Sequence, residues 1–111
     1  MNKLHYSPEA LNDLNEIWVY IHNELQNPAA AQRIVYSILD TIERLRDFVE
    51  IGPLLAAVTE FENDYRFLVC GKYITFYRVR GAEVYIDRVL YGKRNYMRIL
   101  FGTSQDDDDT K

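Results

Sequence analysis

The chain is poor in the residues that small proteins use as staples or as reactive groups. Its 111 residues include one cysteine, two histidines, three prolines and five glycines. A lone cysteine, Cys70, permits no intramolecular disulfide and no cysteine metal cage, so a reducing cytosol and a cytoplasmic location are expected. His5 and His22 lie about four helical turns apart, with no carboxylate or cysteine at ligand spacing, so no metal and no cofactor are expected. The glycines stand singly, which excludes a P-loop, a dinucleotide fingerprint and a nucleophile elbow. No apolar run approaches about 18 residues and no basic-then-apolar leader is visible, so neither a membrane span nor a signal peptide is expected. The apolar share of 48% is ordinary and the length is that of one domain, enough to bury a core without cross-links.

Charge is present but unevenly placed, and the net value of −4 hides this. Residues 1–64 carry four Lys/Arg against eleven Asp/Glu, whereas residues 65–104 carry eight against two, a local balance of +6. Residues 103–111 hold four successive aspartates, have no apolar residue and read as a solvated acidic tail outside a domain of residues 1–102. A basic region joined to an acidic one points to an anionic partner.

The order of elements is legible. Lys3-Leu4-His5-Tyr6 alternates like a strand, and Ser7-Pro8-Glu9 is a helix start: hydroxyl cap, proline in the first turn, acid at the positive end. Leu11, Leu14, Ile17, Trp18, Ile21 and Leu25 then form an apolar stripe, with Asn12, Asp13, Asn15, Glu16 and Asn23 on the other face. Asn27-Pro28 starts a second helix at once, so the two fold back on each other. Its apolar side is Ala31, Ile34, Val35, Ile38, Ile42, Leu45 and Phe48, and Gly52-Pro53 is expected to end it. Asp40 with Arg44, and Arg46 with Glu50, are opposite charges four residues apart on the wet side. After an unclear stretch with a short strand near residues 58–61, residues 65–70, 73–80 and 83–91 are β-branched and aromatic runs of strand length. Gly71-Lys72 and Gly81-Ala82 suit tight reversals. Residues 95–101 add a short terminal helix. The fold class is α+β: an αα-hairpin packed on an antiparallel sheet of three to four strands, in the order β-α-α-β-β-β with a C-terminal helix.

The residues left to carry function are basic and aromatic: Arg66, Arg78, Arg88, Tyr91, Lys93, Arg94, Tyr96 and Arg98. Arginine interleaved with tyrosine suits phosphate contact with base stacking, or an acidic protein. A solvated strand face has the same composition, since tyrosine favours strands and arginine stems cover apolar edges.

Taken in order, these pieces resemble the ParE/RelE toxin superfamily over about residues 3–101. The resemblance rests on Ser7, Ala10, Asp13, Leu14, Ile17, Tyr20, Ile21, Asn27, Ala30, Ala31, Leu45 and Gly52 in the first half. In the second it rests on Arg66, Leu68, Tyr73, Phe76, Tyr77, Arg78, Val79, Val89, Leu90, Gly92 and Arg94. It implies the toxin half of a bacterial type II toxin–antitoxin (plasmid stabilisation) system, with a cognate antitoxin as partner in a hetero-oligomer. The nuclease branch carries strand lysines where Tyr65 and Phe67 stand, an arginine at Ile74 and a tyrosine at Leu100, so the resemblance favours the ParE branch. That branch implies a toxin that binds and inhibits DNA gyrase, with Arg66, Arg78, Arg88, Tyr91, Lys93, Arg94, Tyr96 and Arg98 as contacts. The alternatives are a RelE-like ribosome-dependent mRNA endonuclease using Arg94 with Tyr91 or Tyr96, and a non-toxic relative that only binds the antitoxin.

Overall fold

A computed structural model describes residues 1–102; the acidic stretch 103–111 lies outside the described residues. Ser7 joins β1 (Lys3–Tyr6) to α1 (Pro8–Val19), and its Oγ accepts the Ala10 N–H at 2.9 Å as the expected cap. The same hydroxyl donates to the Asp87 carbonyl at 2.7 Å, fastening the helix start to the sheet. α1 gives way to a π-helical turn over Tyr20–Glu24. Asn27 then caps α2 (Pro28–Glu43), its Oδ1 accepting the Ala30 N–H at 3.1 Å.

α2 ends earlier than Gly52-Pro53. A 3-10 turn, Arg44–Arg46, follows it, and Phe48, outside the helix, is 64% exposed instead of continuing the apolar stripe. The charge pairing differs as well: Arg46 donates from Nε to Glu43 at 2.6 Å, because the tightened turn brings the i,i+3 neighbour within reach. Neither Asp40 with Arg44 nor Arg46 with Glu50 forms a salt bridge among the described residues.

β2 (Arg66–Cys70), β3 (Tyr73–Arg80) and β4 (Glu83–Tyr91) form the expected antiparallel meander. Gly71 and Gly81 sit at φ +60° and +61°, the first residues of the two reversals. β1 adds a fourth strand beside β4 in the order β1-β4-β3-β2, and it pairs in parallel, so the sheet is mixed. No strand forms at residues 58–61; Leu55–Ala57 is a 3-10 turn and Leu54 makes an isolated bridge to Arg66.

Both faces of the sheet are covered. The helical hairpin lays Leu14, Ile17, Ile21, Val35, Ile38 and Ile42 on Leu68, Tyr77, Val84, Ile86 and Val89. Leu11 and Leu25, assigned to that stripe by spacing, are each 56% exposed. On the opposite face Leu55, Phe76 and Leu90 form a smaller core packed by Tyr96, Ile99 and Leu100 of α3 (Tyr96–Phe101), the expected terminal helix. Two buried layers explain why both faces of the strands read as partly apolar.

Candidate functional site

Three of the predicted contact residues are held by the fold itself. Arg66 donates from Nη1 to the Gly52 carbonyl at 2.7 Å. Arg78 donates from Nε to Asp87 at 2.9 Å and lies 5.5 Å from the centroid of the Tyr65 ring. Arg88 makes two bonds of 2.8 Å to Asp13. Asp13, assigned by spacing to the wet face of the first helix, is only 4% exposed and also accepts the Val89 N–H at 2.9 Å. A β-bulge explains the geometry. Phe76 pairs with Arg88 and Tyr77 with Ile86, so Asp87 is the extra residue between them. Asp87 then meets Tyr65 and Arg78 while Arg88 reaches α1.

With Arg80 also bridged to Asp64, the sheet is less basic than its sequence. Positive charge collects where β4 ends. Lys93 and Arg94 are exposed in the turn after Tyr91, and Arg98 is exposed on α3. The Arg94 N–H donates to the Tyr91 carbonyl at 2.9 Å, which closes that turn. Tyr96 is diverted from it; its ring packs on Phe76 with centroids 5.2 Å apart. None of Lys93, Arg94 and Arg98 forms a salt bridge with a described residue.

Tyr91 and Arg94 open onto a groove of about 830 Å³ between the helical hairpin and this end of the sheet. One wall is Ile17, Tyr20, Ile21 and Leu25; the other includes Cys70, Tyr73 and Val89, with Asp13, Glu16, Arg33, Lys72 and Arg94 supplying charge of both signs. The Tyr73 and Tyr91 rings stand 5.9 Å apart. Burial, followed by the nearby Tyr20 and Tyr91 phenols, pushes the Tyr73 phenol up from its ordinary value. A smaller hollow of about 290 Å³ on the other side of the β2–β3 turn is lined by Lys72, Tyr91 and Lys93.

Lys72, Arg33 and Tyr20 were not among the contact residues expected from sequence. The signal for Lys72 was strand register: Tyr73 pairs with Tyr91, so the preceding turn must lie against Gly92, whose N–H donates to the Lys72 carbonyl at 2.8 Å. Nothing local marks Arg33, because only the folding back of α2 brings it to the groove.

A helical hairpin on a four-stranded mixed sheet, with a cationic turn at the mouth of an apolar groove, makes a small α+β domain. Residues 4–96 match the family described as ParE toxin of type II toxin-antitoxin system, parDE, and the chain belongs to that family. Among solved structures it is similar to a chain titled as the chromosomal ParDE TA system from P. aeruginosa. The two are 24% identical with a TM-score of 0.67, over 80% of this chain and 94% of that one. A looser likeness is to YafQ from E. coli strain BL21(DE3), at 16% identity and TM-score 0.47, over 92% of this chain and 100% of that one. No curated protein sequence matches the chain. No helix among the described residues is long and apolar enough to cross a membrane.

Proposed function

We propose that this ParE-family toxin acts by binding: it inhibits DNA gyrase, and a cognate antitoxin neutralises it. Family membership over residues 4–96 supports the target. The mode of action rests on one observation, the sorting of the cations. Arg66, Arg78 and Arg88 are fixed by internal acceptors, whereas Lys93, Arg94 and Arg98 are exposed beside Tyr91. An exposed cationic cluster of that kind speeds and orients the encounter with an acidic surface. The antitoxin lays an acidic and apolar segment along the helices and across the sheet, and its hold weakens as salt rises.

The test is a plasmid supercoiling assay with purified gyrase, scored for blocked supercoiling and for trapped double-strand breaks. Accumulated linear plasmid or loss of supercoiling supports the reading. No effect at micromolar protein, together with mRNA cleavage on added ribosomes, replaces it with the nuclease alternative. No effect in either assay leaves the antitoxin-binding relative.

A further inference from the structure

Four successive aspartates, Asp106–Asp109, are a strongly charged motif that the binding reading leaves unused. The end of α3 fixes where the chain sets out towards them. Gly102, at φ +69°, donates its N–H to the Arg98 carbonyl at 2.7 Å, a left-handed cap that turns the chain off the helix axis. Thr103, Ser104 and Gln105 separate that cap from Asp106. An extended chain advances about 3.4 Å per residue, so Asp106 to Asp109 reach about 14 to 24 Å from Gly102. α3 has six residues and spans about 9 Å, so Arg98 and, just before the helix, Lys93 and Arg94 all fall within that reach.

Two surfaces of opposite charge border this exit. Phe101 packs edge-on against Phe61 and Tyr65, with ring centroids 5.1 and 5.7 Å away, which sets residues 60–64 on one side of it. Glu60 and Glu62 are exposed there and form no salt bridge with a described residue, so that side repels further acids. The other surface is cationic. Tyr96, Ile99 and Leu100 turn to the sheet, and a helical step of about 100° per residue then puts Arg98 on the outer face of α3. Lys93 and Arg94 are exposed in the turn that leads into it.

We propose that Asp106–Asp109 fold back onto Lys93, Arg94 and Arg98 and mask the cationic end of the sheet from its target. The inference rests on the reading of that end as the gyrase contact, and it adds regulation of the contact by the same chain. A short linker joins the two charge groups, so the acids act at about millimolar effective concentration. Exposed ion pairs are individually weak, so salt releases the mask and a target with more to offer displaces it. A surface with few carboxylates does not, and the tail thereby sharpens the choice of target.

The contact can be read with no target present, from the amide and arginine side-chain NMR signals of the full chain labelled with nitrogen-15. Asp106→Asn, Asp107→Asn, Asp108→Asn and Asp109→Asn together are expected to shift the signals of residues 93–98 at low salt. Those of α1 and β1 stay in place. At about 1 M salt, where charges are screened beyond about 3 Å, the two spectra converge over residues 93–98. In a chain already carrying Lys93→Glu and Arg94→Glu, the four asparagines shift those signals far less. In the supercoiling assay the asparagine variant inhibits at about fivefold lower concentration than wild type at low salt, the scale of a few exposed ion pairs. Unchanged signals over residues 93–98 overturn the proposal, and so does a variant that shifts them yet inhibits like wild type. If neither chain affects gyrase, only the target is lost, and a fluorescein-labelled hexaglutamate peptide read by anisotropy takes its place. The variant must then bind that peptide about threefold or more tighter than wild type, and equal affinity overturns the mask.

Discussion

Asp13 and Arg88, 75 residues apart, meet through two hydrogen bonds of 2.8 Å that clamp α1 to the bulge in β4. The carboxylate is 4% exposed, and a third bond, from the Val89 N–H, satisfies the amide next to the bulge. Removing one partner of such a pair is worse than never having it, because the other charge stays behind. Asp13→Ala is therefore expected to destabilise the fold by about 3 kcal/mol. Asp13→Asn, which keeps an acceptor for Val89, costs less, about 1–2 kcal/mol. Urea unfolding followed by circular dichroism gives both values.

Tyr77 ties the loop after α2 to the sheet. Its hydroxyl donates to the Val49 carbonyl at 2.7 Å and accepts the Gly52 N–H at 3.1 Å. Tyr77→Phe leaves both backbone groups unpaired in a buried place and should cost about 1–3 kcal/mol. Gly52→Ala is the harsher change. Its Cβ would lie 2.4 Å from the Phe67 carbonyl oxygen and 2.6 Å from the Tyr77 hydroxyl, and the backbone atom cannot swing away. A loss of about 3 kcal/mol or more, read as a lowered urea midpoint, is expected from that overlap.

How much of this was legible follows from the range of each signal. Caps are local, so Ser7 and Asn27 announced both helix starts, and the strand runs announced the meander. The π-turn was not legible, because its apolar residues keep spacings that an α-helix would also use; Leu25 was misplaced as a result. Asp13 was misread for a related reason. Periodicity sorts residues by polarity, and a buried carboxylate is polar by type but core by position, a place that only Arg88 makes tolerable. The parallel pairing of β1 with β4 depends on contacts about 80 residues apart, beyond any local pattern. At the candidate site the cation-rich region was visible, but which cations are occupied depended on Asp13, Gly52 and Asp87 arriving from elsewhere in the fold.

Tyr65 gives the fold a weakness at high pH. Burial, and then the Asp87 carboxylate that its hydroxyl bonds at 3.0 Å, push the phenol up to about 12 from 10.0. A folded-state value above the unfolded one means that the neutral phenol stabilises the fold. That contribution is complete below the unfolded value and is lost as pH rises through the folded one. Stability should therefore fall between about pH 10 and pH 12. Urea midpoints across that range should decline less steeply in Tyr65→Phe, and absorbance titration should lose one late-ionising phenol.

The last expectation separates cations that hold the fold from cations that meet a partner. Arg66 and Arg78 are bound to Gly52 and Asp87, so alanine at either position should lower the melting temperature. Lys93 and Arg94 are exposed and form no salt bridge with a described residue, so reversing their charge should leave melting nearly unchanged. In the gyrase supercoiling assay the ranking should invert. Lys93→Glu with Arg94→Glu is expected to raise the half-inhibitory concentration about tenfold at low salt, with the gap narrowing as ionic strength rises and charges are screened. If the double reversal inhibits like the wild-type chain while Arg66→Ala inhibits poorly at a temperature where it remains folded, the contact surface lies on the sheet and not at the end of β4.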